Sequence, residues 1–177
     1  MERSGLVGNA DEILAASAQQ QREIADFNNW RAANPSKNMD DYVAQRFPGT
    51  SPSDFSHRSN LAEMVVDQQM IDAGWLPADS LKTSLSGGAG QGIDHVYVKI
   101  DADGDITEVF VLETKSGNAT LDPGQMSEEW IDGRLSDSLT DDAFNAVLFN
   151  GYTPVLARVD LFGALSLEKL DGLRTVG

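Results

Sequence analysis

The residues of this sequence best suited to chemistry are Asp94, Glu113 and Lys115. They sit on two runs of alternating residues, Ile93 to Ile100 and Thr107 to Leu112, joined by Asp101-Ala102-Asp103-Gly104-Asp105. That pattern predicts a β-hairpin. Because side chains alternate along a strand, Val96, Val98 and Ile100 share a face with Asp94, and the face of Val109 and Val111 continues to Glu113 and Lys115. If Val98 pairs with Val109 and Val96 with Val111, Asp94 stands opposite Glu113. Directly opposed residues have Cβ atoms about 4.5 to 5.5 Å apart, and like charges there are destabilising. Two carboxylates at the end of a core-facing surface therefore need a compensating cation, which a divalent metal and Lys115 together would supply. The plainer reading is that the three merely mark strand ends reaching water, with Lys115 pairing Glu113, as in most chance matches to so short a pattern. The shared face and the Gly-rich lead-in, Ser86 to Gly92, favour the functional reading.

Composition narrows the chemistry. The 177 residues contain no cysteine and two histidines, His57 and His95, which removes disulfides, thiolate catalysis and cysteine- or histidine-rich zinc sites. Any metal must rest mainly on oxygen ligands, which suit magnesium, manganese or calcium. The formal net charge is −15, spread over the chain. By itself this argues against nucleic-acid binding, because duplex binders gain most of their affinity by neutralising phosphates with Lys and Arg. Adaptation to a high-salt organism is one explanation, since repulsion between acidic surface groups is screened at high ionic strength. With 41% hydrophobic residues and no long apolar run, a soluble globular chain without a membrane span is expected. Met1 to Asn9 lacks the basic end and apolar run of a secretory signal, so the expected location is cytoplasmic, or a target cell reached without such a signal.

The elements that must position these groups are also legible. Ala10 to Ala33, with Ile13, Leu14, Ile24, Phe27 and Trp30 in a Gln-rich background, predicts a helix with a narrow apolar stripe, stopped by Asn34-Pro35-Ser36. A short helix is expected over Met39 to Phe47. Pro48-Gly49-Thr50-Ser51-Pro52 is the clearest linker signal, and it divides an N-terminal helical segment, 1–50, from a domain spanning 55–177. Ser59 or Asn60 is expected to cap a helix reaching Ala73, with a stripe of Leu61, Met64, Val65, Gln68 and Ile71 and a stop at Gly74. Ser127 opens one or two helices ending near Gly151, and Thr153 to Asp160 alternates as a third strand. The order helix, strand, strand, helix, strand belongs to an α/β or α+β fold with a mixed sheet.

Gly92-Ile93-Asp94, a strand, a turn, then Val109-Phe110-Val111-Leu112-Glu113-Thr114-Lys115-Ser116-Gly117 resembles the core signature of PD-(D/E)XK, restriction-endonuclease-like nucleases. The form is that of nuclease toxin domains in bacterial polymorphic toxin systems, where a segment similar to Gln125-Met126-Ser127, with a nearby Trp such as Trp130, follows the lysine strand. The resemblance covers about Ser59 to Asp160. It implies a restriction-endonuclease-like core behind an N-terminal helical extension, with Asp94 and Glu113 holding Mg2+ or Mn2+ against a scissile phosphate and Lys115 positioning the attacking water. Many members add a carboxylate from the preceding helix, and Glu63 sits where that residue would be. Its side chain, however, falls away from the helix's main stripe, on a face with Val66 and Met70. Gln125 is the further candidate, as a group orienting nucleotide or water. The implied activity is a metal-dependent endonuclease acting on DNA, with RNA, including transfer RNA, as runner-up, deployed as a toxin with a neutralising immunity-type protein as partner. The rival expectation is a silent acidic binding module on the same fold.

Other signals have plain readings. Asp101 to Asp105 is similar to a calcium loop, but its glycine is misplaced and strands flank it; it reads as a turn. Gly87, Gly88, Gly90 and Gly92 lack the Gly-Lys-Ser/Thr of a phosphate loop and suggest close backbone approach beside the site. His95 faces away from Asp94, as a packed or surface histidine. Trp30, Trp75 and Trp130 read as core anchors rather than base-stacking platforms.

Overall fold

The computed structural model describes residues 10–78, 81–87, 92–170 and Arg174. Met1 to Asn9, Gly88 and Gly90 lie outside them. Among the described residues the chain forms five helices and five strands, so the fold is mixed α/β. The helices are α1 (Ala10–Ala33), α2 (Met39–Arg46), α3 (Ser56–Asp72), α4 (Glu128–Ser138) and α5 (Asp141–Asn150); the strands are β1 (Leu76–Pro77), β2 (His95–Ile100), β3 (Ile106–Ser116), β4 (Thr153–Val159) and β5 (Leu165–Lys169). No helix among these residues is long and apolar enough to cross a membrane.

The strands form one sheet in the order β1-β2-β3-β4-β5, antiparallel except for the parallel β3–β4 pair. The hairpin has the expected register, Val98 opposite Val109 and Val96 opposite Val111. Helices α4 and α5 carry the chain between the parallel strands, a connection that a tight turn cannot make. Ser127 caps α4 as expected, its side chain accepting from the Trp130 N–H, and Thr140 caps α5, accepting from the Ala143 N–H. Gly151, at φ +75°, ends α5.

The sheet is covered on both faces. Val96, Val98, Val109 and Val111 pack with Ile131, Leu135, Ala143 and Val147 of α4 and α5. Tyr97, Phe110, Leu112 and Val155 pack with Leu61, Met64 and Val66 of α3. Phe27, Met39 and Tyr42, from before Pro48, enter this second cluster, so α1 and α2 share a core with α3.

Three local expectations change. Helix α3 begins at Ser56, where Asp54 Oδ1 accepts from the Ser56 N–H at 3.0 Å, and neither Ser59 nor Asn60 caps it. Helix α1 turns inward a stripe that is polar at first, Ser17, Gln20 and Glu23 before Phe27, while Leu14 is exposed. Strands β1 and β5 are additions: β1 is too short for alternation to mark it, and β5 is a largely exposed edge strand.

Candidate active site

The hairpin places its charged residues where β2 begins and β3 ends. Asp94 immediately precedes β2 and, by the hairpin register, stands opposite Glu113. Its Oδ2 accepts from the backbone N–H of Thr114 at 2.9 Å. The chain then leaves the sheet through Gly117, at φ +59°, where a Cβ would come within 3.1 Å of Leu161. Asp94, Glu113, Lys115, Glu63 and Gln125 all line one cleft of about 320 Å³.

Glu63 arrives from α3. Sequence spacing set it on a face with Val66 and Met70, away from the main stripe, and that face is itself buried because α3 lies between α1 and the sheet. A helix covered on both sides has no solvent face from which a stripe can be read. Glu63 is thereby held inside the cleft, paired with Lys82. Lys82 Nζ also donates to Asn60 Oδ1 at 2.7 Å, and Asn60 Nδ2 donates to the carbonyls of Leu85 and Gly87 at 2.8 and 2.7 Å. Lys82 and Asn60 escaped the sequence reading: a lone lysine in an irregular loop carries no periodic signal. Of the described glycines, Gly92 lines the cleft but a Cβ there would meet nothing within 4 Å, so close approach does not explain it.

Glu113 is the most constrained group. It is only 5% exposed. Its Oε1 accepts from Gln125 Nε2 at 2.6 Å and lies 3.2 Å from Lys115 Nζ. Its Oε2 is buried with no hydrogen-bond donor. Gln125 is held in turn by the Asp122 N–H, which donates to Gln125 Oε1 at 3.0 Å. The next residue, Met126, is buried at φ +65°, uncommon for a residue with a side chain, and anchors this loop in the core. Gln125 thus orients the Glu113 carboxylate.

Burial, then the neighbouring Asp94 carboxylate, raises Glu113 to about 8 against the pull of Lys115. The same two causes, in the same order, raise Glu63 to about 7 against His95 and Lys82. Asp94 faces both as a like charge. Keeping Glu63 and Glu113 ionised in so dry a place calls for a further cation.

The opposite face of the same strand ends carries a second polar cluster. His95 is packed, as expected: Nδ1 donates to Asp67 Oδ1 at 2.9 Å and Nε2 to Thr114 Oγ1 at 2.7 Å. Tyr97 donates its O–H to the same Asp67 oxygen, and Gln20 Nε2 donates to Asp67 Oδ2 and to the Lys82 carbonyl, both at 2.8 Å. Burial pulls the imidazole down, but Asp67, Asp94 and Glu63 outweigh it and raise His95 to about 9.

Glu63, Asp94 and His95 bring ligand atoms within 4.8 Å of one another, so distance alone would make His95 the third metal ligand. Hydrogen bonding argues for Glu113 instead, because both ring nitrogens of His95 are engaged while Glu113 Oε2 has no donor. An all-oxygen set also suits a hard divalent cation.

No protein family matches the chain, and no curated protein matches it.

Proposed function

We propose that this chain is a metal-dependent nuclease of the PD-(D/E)XK kind, hydrolysing phosphodiester bonds of nucleic acid, with DNA as the first substrate to test and RNA as the second. The observation that carries the reading is the buried, donorless Oε2 of Glu113 facing Asp94, in the cleft that Glu63 also lines. A carboxylate oxygen so placed calls for a proton or a cation. Asp94, Glu113 and Glu63 would hold Mg2+ or Mn2+. When bound, such an ion polarises a phosphoryl oxygen and makes a nearby water more acidic. Lys115 keeps N–H groups beyond its contact with Glu113 to orient the attacking water and to offset charge on the phosphate as the P–O bond breaks. Gln125 fixes the rotamer of Glu113, and Lys82 that of Glu63.

Deployment as a toxin, delivered to a target cell and neutralised by a protein covering the cleft, belongs to the same proposal. A silent acidic binding module is the second reading, favoured by the net charge of −15.

The test is incubation of the purified protein with plasmid DNA and with total RNA, in magnesium, in manganese and in chelator, beside Glu113→Gln. Metal-dependent loss of one polymer, abolished by the substitution, is the expected result. Intact polymers in every lane, with no rise in melting temperature on adding either ion, would move the assignment to the binding module.

A further inference from the structure

The net charge of −15 leaves a question that the carboxylate cluster does not answer: how would so acidic a protein hold a polyanion? Helix α4 forms one wall of the cleft and supplies Trp130 and Arg134, one turn apart. The Arg134 guanidinium lies 4.2 Å from the Trp130 ring centroid, and its Nη1 donates to the Trp130 carbonyl at 3.0 Å. Of the other basic side chains lining the cleft, Lys82 is paired with Glu63 and Lys115 with Glu113. Among the described residues Arg134 has no carboxylate partner, although acidic groups abound. It is pre-oriented on a half-buried indole, with N–H groups to spare.

We infer that Trp130 and Arg134 form a subsite for one unpaired nucleotide beside the carboxylates, the base stacking against the indole and guanidinium and Arg134 holding an adjacent phosphate, so that the substrate is a single-stranded polynucleotide rather than a duplex. The inference rests on the proposed nuclease reading for what happens after binding, but not for the binding itself.

Three observations favour a single strand. A duplex binder draws its affinity from many phosphate contacts, yet Asp122, which lines this cleft, and Glu128 and Glu129, in the first turn of α4, are all exposed. A duplex backbone laid across it would meet like charge. Stacking, by contrast, is nearly indifferent to net charge and is a principal source of single-strand affinity. The cleft, at about 320 Å³, lies at the small end of the range of ligand pockets. It suits one nucleotide better than a helix of paired bases. All three tryptophans pack against a core, Trp75 stacked on Phe110, Trp30 on Tyr42 and Trp130 against the α4–α5 cluster, and Trp130 in addition lines the cleft.

The experiment uses the full chain carrying Glu113→Gln, so that binding is read without cleavage. Tryptophan fluorescence is titrated with oligo-dA, oligo-A and a DNA hairpin of equal length, with and without Mg2+. The two single strands distinguish DNA from RNA. Quenching by a single strand with at least about tenfold weaker binding of the hairpin is expected, corresponding to one stacked base. Adding Trp130→Leu should remove the quench and weaken single-strand binding about tenfold, and Trp130→Phe should restore most of the binding. Arg134→Gln should weaken binding and reduce its salt dependence by about one phosphate contact. If Trp130→Leu does not fold, the Arg134→Gln result and the strand preference of the parent decide. Equal binding of hairpin and single strand, or parental binding in both the Trp130→Leu and Arg134→Gln proteins, overturns the subsite. Single-strand binding through Trp130 without metal-dependent cleavage by the parent supports the subsite and removes the nuclease. Cleavage that proceeds equally on duplex and single strand does the reverse.

Discussion

Two buried polar clusters meet at the same strand ends, and they differ in how fully their carboxylates are matched. On one face Asp67 receives donors from Gln20, His95 and Tyr97, and both its oxygens are satisfied. On the other, Glu113 has donors for Oε1 only, and its second oxygen is buried beside Asp94 without one. Sequence neighbours are divided between the two, Asp94 from His95 and Glu113 from Thr114, because alternate residues of a strand point to opposite faces. The Asp67 cluster has the form of a structural device: every polar group is matched, and α1, α3 and the sheet are tied together through it. The Glu113 cluster leaves one carboxylate oxygen unmatched, where the proposed cation would enter. Burial alone does not distinguish the two; the donor count does.

Removing one partner from the complete cluster should have the largest effect on stability. Asp67→Ala removes the acceptor shared by His95, Gln20 and Tyr97 and leaves a buried imidazole without its carboxylate, and should cost about 3–5 kcal/mol by urea denaturation. A cost under about 1 kcal/mol would show that the network is slack. Glu113→Gln should act in the opposite sense. It removes like charge facing Asp94, so metal-free stability at pH 8 should hold or rise, while cleavage falls on the order of 10²–10³-fold, as measured by initial rates on whichever polymer the parent cuts.

pH sharpens the same contrast. Glu63 and Glu113 have folded pKa values raised from 4.5 to about 7 and about 8, and His95 from 6.5 to about 9. In each case the folded state binds protons more tightly than the unfolded one. Each contribution to stability is therefore complete below the unfolded value and is lost as pH rises through the folded value. The metal-free melting temperature should fall between pH 5 and pH 9. Magnesium should offset that fall, by about 2.7 kcal/mol at a hundred times its dissociation constant, and more at pH 8 than at pH 5.5, because protons must leave the carboxylates for the ion to enter. A magnesium effect that does not grow with pH would place the ion elsewhere. The smallest effect is expected at the far end of the hairpin. Asp103 in the acidic turn is exposed, and Asp103→Asn should change stability by less than about 0.5 kcal/mol and leave the response to magnesium untouched in the same melts.

The hairpin and its charged face were legible because a period of two is a local property: once Val98 opposes Val109, the positions of Asp94 and Glu113 follow. Helix ends were legible for the same reason where a cap is local, as at Ser127 and Gly151. At the start of α3 the capping group, Asp54, lies ahead of the residues whose types suggested a cap. Glu63 was readable in position but not in orientation, since the helix stripe it lacks is replaced by burial on a second side. Lys82 and Asp67 were not readable at all. Their partners lie 19 and 28 residues away, Glu63 for Lys82 and His95 for Asp67, and no periodicity links a loop lysine to a helix carboxylate. The sequence alone determined which residues alternate, where most helices break, and that any metal would rest mainly on oxygen ligands. Only the tertiary structure decided which carboxylates lack donors, because hydrogen-bond satisfaction depends on groups that meet only when α1, α3 and the sheet pack together.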